Sequence, residues 1–212
     1  MSGILELLNS DMGKTIINGL ANEANQPEDK TSSVLTMALP VLMGAMKRNA
    51  NTPEGAAGLI GALSNKHDGS ILDNLGGLFA GGVDNDVKQD GAGILGHILG
   101  NSQSNVTNAL SQKSGMDSDS VMQILKVAAP IVMGYLGKQT KQQNISNSSG
   151  IESLLGGLLG GGANANSQQT LIESLLDGDG DGSILDDVAG MVLGGSKKKG
   201  GLGGLLGGLF GR

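Results

Sequence analysis

Apolar residues along this chain recur three and four positions apart, the spacing that places side chains on one face of a helix. The alternating β-branched and aromatic runs that would mark strands do not appear. Ile4, Leu5 and Leu8 predict a short first helix, and Ile16, Ile17 and Leu20 continue the stripe after Asn9-Ser10-Asp11, which supplies capping residues. Pro27-Glu28-Asp29 opens a longer helix reaching about Arg48, with acids near the positive end of the macrodipole and Lys47 and Arg48 near its negative end. A similar helix is predicted over 117–138. Each contains a proline, Pro40 and Pro130, which removes a backbone bond and crowds the preceding turn at a cost of ~3 kcal/mol or more. Each is therefore bent there or is two helices meeting at the proline, and the shared feature predicts a packing bend. Residues 52–65 and 91–99 read as smaller helices, the second with Ile94, Leu95, Ile98 and Leu99 on one face. The Gln-, Asn-, Ser- and Gly-rich stretches 139–150 and 160–169 read as linkers, and 196–201 as a basic hinge.

Two segments repeat. Residues 67–82 match 180–195 at 9 of 16 positions at an offset of 113, sharing Asp-Gly-Ser-Ile-Leu-Asp and three glycines. At an offset of 90, residues 18–49 match 108–139 at 8 positions, among them Leu35/Leu125, Ala38/Ala128, Pro40/Pro130, Met43/Met133 and Gly44/Gly134. Such repetition dictates architecture. It predicts two related helical halves, 1–85 and 86–195, followed by a basic hinge and Gly/Leu-rich tail at 196–212.

The tail carries a leucine stripe. Leu202, Leu205, Leu206, Leu209 and Phe210 follow the same spacing as residues 151, 154, 155, 158 and 159, with glycine on the opposite face. At roughly 1 kcal/mol per glycine relative to alanine, such a segment is ordered only by docking its stripe on something else. The expected uses are a helix-in-groove contact with a larger assembly and, in competition, an interfacial membrane contact. Short C-terminal Gly/Leu segments ending in a basic residue are similar to cargo-loading peptides of bacterial nanocompartments.

Composition narrows the functional classes. The 212 residues include 38 glycines but only three aromatic rings, so a core must be built from Leu, Ile, Val, Met and Ala. Met37, Met43, Met46, Met122 and Met133 are expected in it. A net charge of -6, with Lys197-Lys-Lys199 as the sole basic run, argues against nucleic acid as a main ligand. The absence of cysteine excludes disulfides and thiolate chemistry. The N-terminus lacks a positive n-region, and the longest apolar stretches contain proline and fall short of the ~20 residues a spanning helix needs, so a cytoplasmic protein is expected.

One run has a coordination logic. Asp177, Asp179, Asp181, Gly182 and Ser183 match the first seven positions of an EF-hand-type loop, but position 12 is Val188, leaving Asp186 or Asp187 to close any Ca2+ site. Ser183-x-x-Asp186 and Ser70-x-x-Asp73 both read equally as capping boxes. Calcium is thus the one cofactor expectation, beside helix capping. His67 and His97 lie 30 residues apart with no ligand or base partner in sequence, and the glycine-rich stretches lack the context of a phosphate loop. No catalytic residue is expected, and the chain is not expected to be an enzyme.

The runs Gly91-Ala-Gly-Ile-Leu-Gly-His-Ile-Leu-Gly100, Leu110-Ser-Gln-Lys-Ser-Gly115, Ala129-Pro-Ile-Val-Met-Gly-Tyr-Leu-Gly137 and Asp179-Gly-Asp-Gly-Ser-Ile-Leu-Asp-Asp187 resemble the bacterial domain-of-unknown-function family numbered 937, related to the YidB-like proteins. The resemblance covers roughly residues 5–195 and leaves the tail outside. It implies a bacterial, all-helical protein and carries over no catalytic residues. The resulting expectation is an all-α array of short and Pro-bent helices in two duplicated halves with glycine-rich connections. It would act as a homo-oligomerising or partner-binding module, with a calcium-responsive loop and a docking tail as alternatives.

Overall fold

The computed structural model describes residues 4–160, which form ten α-helices and one 3-10 turn. In chain order these are α1 (Ile4–Asn9), α2 (Asp11–Glu23), α3 (Glu28–Ala50), α4 (Pro53–Asn65), α5 (Ser70–Asp73), α6 (Leu75–Phe79) and α7 (Asn85–Leu99). The turn Gly100–Ser102 then leads to α8 (Gln103–Ser114), α9 (Ser118–Gln142) and α10 (Ser148–Gly160).

Local chemistry sets most of these boundaries. The Ser10 hydroxyl accepts from the Gly13 amide at 3.1 Å to start α2, and the Asp117 carboxylate accepts from the Ser120 amide at 2.8 Å to start α9. Left-handed residues stop the helices that precede the two long ones. Asn25 ends the turn after α2 at φ 51°, and Gly115 follows α8 at φ 65°.

Both long helices continue unbroken through their prolines. Pro40 lies twelve residues past Glu28 and Pro130 twelve past Ser118, and both are buried. The alternative of two helices meeting at each proline is therefore corrected. Proline has no N–H, so the carbonyl of Lys126, four residues before Pro130, cannot accept its usual helical bond. The backbone of α7 approaches that carbonyl at Gly91, where a Cβ would sit 2.6 Å from the Lys126 carbonyl carbon and closer still to its oxygen. A Cα–H donor fits the unclaimed oxygen, and only glycine brings the backbone that close.

The helices α3 and α9 are the centre of the fold. Val34, Val41, Leu42, Met43, Val121, Leu125, Val127 and Leu136 are fully buried or nearly so, and the buried apolar residues of 4–83 and 95–158 form one continuous cluster. Around this pair, α2 and α8 each touch both long helices, α10 lies on α3, and α4 contacts α9. The small segment α5 lies on α9, and α6 lies on α2. Met43, Met46 and Met133 are buried as expected, while Met37 and Met122 are half-buried against the cluster. By length and apolarity α9 would suit a membrane span, but 78% of that window is buried among other helices, the pattern of a core helix.

Several expectations change. The helix predicted over 91–99 begins at Asn85, six residues earlier. The linker predicted over 139–150 shrinks to 143–147, because α9 runs to Gln142 and α10 starts at Ser148. Ile151, Leu154, Leu155 and Leu158 are buried, so that leucine stripe docks on the fold. The expected glycine-rich connections give way, among the described residues, to short ones in which Asn, Gln, Asp and Ser outnumber glycine, with most glycines inside helices. Ser70 is not a cap. It is the first residue of α5, its amide donates to Asp68 Oδ1 at 3.1 Å, and Asp73 pairs with Lys138 at 3.4 Å instead of reaching back.

Candidate functional site

Helices α4 and α7 flank an open groove of about 620 Å3. Thr52 opens α4 by accepting from the Gly55 amide at 3.1 Å, with Pro53 in the first turn. Its stripe of small residues, Gly55, Gly58 and Ala62, forms one wall together with Leu59. The opposite wall is Gly93, Ile94 and His97 of α7. Met46 from α3, Met133 from α9 and Ile98 form the floor. A Cβ added at Gly58 or Gly93 would meet nothing within 4 Å among the described residues, so these glycines widen the opening and serve no helix packing there.

The two ends of the groove are polar. At one, Lys66 pairs with Asp90, and His67 Nε2 lies 3.7 Å from Asp90 Oδ2. Asp86 and Gln89 lie beside them on α7. His67 is 7% exposed, and its burial pushes its pKa below the ordinary 6.5, with nearby Lys66 acting in the same direction and the Asp90 carboxylate opposing both. The neutral imidazole is thus the form the fold favours. At the other end, Asn49 Nδ2 donates to the carbonyl of His97 at 3.3 Å, holding the last turn of α7 to the end of α3.

The groove has His67 at one end and His97 at the other, residues the sequence left as isolated. Their 30-residue separation gave no local signal, because both line the groove only through the placement of α4 and α7 on the two long helices. What the arrangement offers chemically is an apolar, methionine-floored trough with glycine on both walls and, at one end, the Lys66–Asp90 ion pair beside Asp86. Flexible thioethers suit a surface that adapts to varied apolar side chains.

The sequence-predicted sites lie elsewhere. Asp177, Asp179, Asp181, Ser183, Asp186 and Asp187, like Leu202, Leu205, Leu206, Leu209 and Phe210, lie outside the described residues. The cofactor expectation is corrected: among the described residues no group of three or more His, Cys, Asp or Glu side chains could hold a metal ion.

The family of bacterial proteins of unknown function DUF937 matches residues 6–139 and 141–212. The match therefore reaches Arg212 and includes the tail that the resemblance had left outside. No curated protein and no solved structure matches the chain.

Proposed function

The chain belongs to the DUF937 family of bacterial proteins, and from that premise we propose that it is a non-enzymatic, cytoplasmic self-association module built of two related helical halves. The groove between α4 and α7 receives the leucine-striped C-terminal segment of a second copy.

One observation carries the reading. The groove's apolar floor, glycine walls and the Asp86 carboxylate at one end complement a segment that carries Leu202, Leu205, Leu206, Leu209 and Phe210 behind Lys197-Lys-Lys199. A striped helix gains roughly 25 cal/mol per Å2 of apolar surface it buries, and glycine walls let its backbone come close. Lysines of the hinge would lie near Asp86, where opposite charge orients the docked segment.

Support for the related halves comes from matching positions. Pro40 and Pro130 sit at the same place in α3 and α9, and Asn25 and Gly115, 90 residues apart, both adopt the left-handed conformation before those helices.

Light scattering on the full chain, on a version ending at residue 199 and on Gly58→Leu tests the proposal. The full chain is expected to gain mass with concentration, and both variants to remain monomeric with helical content unchanged. A monomeric full chain at high concentration would end the self-association reading.

A further inference from the structure

The first Asp-Gly-Ser-Ile-Leu-Asp segment is held in the fold by four contacts. Ile71 Cγ2 lies 2.5 Å from where a Cβ on Gly134 of α9 would be, so its methyl fills the space that glycine leaves. Leu72 is buried. Asp73 pairs with Lys138 on the next turn of α9. Finally, the Phe79 ring covers Gly19 of α2, leaving no room for a side chain there.

The repeat offsets carry each contact to a chemically matched pair. Gly134 corresponds to Gly44 on α3, and Ile71 to Ile184. Leu72 corresponds to Leu185. Asp73 and Lys138 correspond to Asp186 and Arg48, again opposite in charge. Phe79 and Gly19 correspond to Val192 and Ala109, so the volume lost from the ring is partly restored by a methyl on the helix beneath it. Gly134 is buried under its segment, whereas Gly44 is half-buried. The offsets pair two separate stretches of chain independently, at 90 and at 113, yet the three cross-pairings stay complementary and the buried leucine is kept.

We infer that residues 181–195 dock on α3 and α8 of their own chain as residues 68–82 dock on α9 and α2, with Ile184 on Gly44 and Val192 on Ala109. This rests on the two-halves reading. The approach differs in one respect. Gly137, against which the His67 carbonyl packs, corresponds to Lys47, so the incoming backbone cannot lie as close, and Gly180 stands where the first copy has His67. The stretch 161–180 permits a different entry. It spans up to about 65 Å when extended, against a radius of gyration of about 15 Å for a fold of this size.

The cysteine-free chain makes the test direct. In the full-length protein, Ala109→Cys with Val192→Cys is expected to close a disulfide within one molecule, to an extent within about twofold of the control pair Gly19→Cys with Phe79→Cys. A disulfide-linked dimer would assign the segment to a second copy and overturn the own-chain placement, as would no bond at all while the control closes. Hydrogen exchange on the unaltered chain provides a second reading: amides of 184–193 should exchange within about tenfold of those of 71–80, and exchange at the free-peptide rate would overturn the inference. The same data judge the two-halves reading separately, through matching or unmatched protection patterns in 18–49 and 108–139.

Discussion

Gly91→Ala and Gly93→Ala place the same methyl on the same helix two residues apart, and they are expected to move stability in opposite directions. At Gly91 the new Cβ would lie 2.6 Å from the Lys126 carbonyl carbon, where ordinary contact begins at 3.4 Å, so α7 and α9 must separate by at least about 0.8 Å. A gap of that size forfeits roughly a quarter to a half of the dispersion contact across it. The α7 side chains facing the core, Leu95, Ile98 and Leu99, are each at most 7% exposed and gain about 1.5–3 kcal/mol apiece from burial. Losing about a third of that costs about 1.5–3 kcal/mol, and the better helix propensity of alanine returns roughly 1 kcal/mol. The net loss is about 0.5–2 kcal/mol. At Gly93 nothing among the described residues lies within 4 Å of the added methyl, so only the propensity gain of about 1 kcal/mol remains. Thermal unfolding followed by circular dichroism should show Gly91→Ala about 1–8 °C below the parent and Gly93→Ala about 2–4 °C above it. Two shifts of the same sign, or a Gly91→Ala protein as stable as the parent, would refute the account of the α7–α9 crossing.

Three further outcomes follow from single residues. Because burial lowers the pKa of His67 in the fold, the unfolded chain takes up the proton first as pH drops below 6.5, so stability falls toward pH 5.5 and is unaffected by this group above about pH 7. The urea midpoint of His67→Gln should fall less than the parent's over that interval, and equal falls would show that His67 is not the group responsible. Leu155→Ala, at a residue 1% exposed on α10, should cost about 2–5 kcal/mol in urea unfolding, and a loss under about 1 kcal/mol would remove α10 from the cooperative unit. Thr52→Ala should cost about 1 kcal/mol by removing the α4 cap, while Thr52→Ser keeps it; equal losses in the two variants would assign the effect to the methyl group and not to the hydroxyl.

The helices were legible where the apolar stripe and the cap lie close together in sequence. Ser10 before α2, Asp117 before α9 and the charged ends of α3 are local signals, and the leucine spacing at 151–158 marked a helix correctly even with glycine on its other face. Local reasoning failed where tertiary contact decides the outcome. Proline in a helix interior looks like a boundary, but at Pro130 the lost backbone bond leaves a carbonyl for Gly91 of another helix. The Gln/Asn/Lys-rich run at 139–142 looks like a linker, yet it continues α9, with Thr140 buried and its hydroxyl donating to the carbonyl of Leu136. Ser70 looks like a cap because the sequence does not reveal that Gly69 takes a φ of 105° and that the Asp68 carboxylate reaches the Ser70 amide instead. The groove was invisible for the same reason: its walls come from α4 and α7, which are set opposite each other only by their packing on α3 and α9.

Glycine carries most of this ambiguity, since the chain uses it for two opposite purposes that read alike in sequence. Gly91 and Gly137 are empty because another backbone presses on them, the first under α7's crossing of Lys126 and the second with the His67 carbonyl carbon 2.8 Å from where a Cβ would be. Gly58, Gly61, Gly93 and Gly96 have open space, yet each weakens its helix by roughly 1 kcal/mol relative to alanine. That cost has no return within the described fold, because no neighbour uses the room it leaves. A helix approaching along the groove would use it at Gly58 and Gly93. Alanine at both positions should therefore stabilise the monomer and weaken self-association together, whereas glycines that merely tolerate exposure would give the first effect without the second. Measuring unfolding midpoint and concentration-dependent mass on that one double variant separates the two, and a more stable protein that associates as well as the parent would remove the groove from the interface.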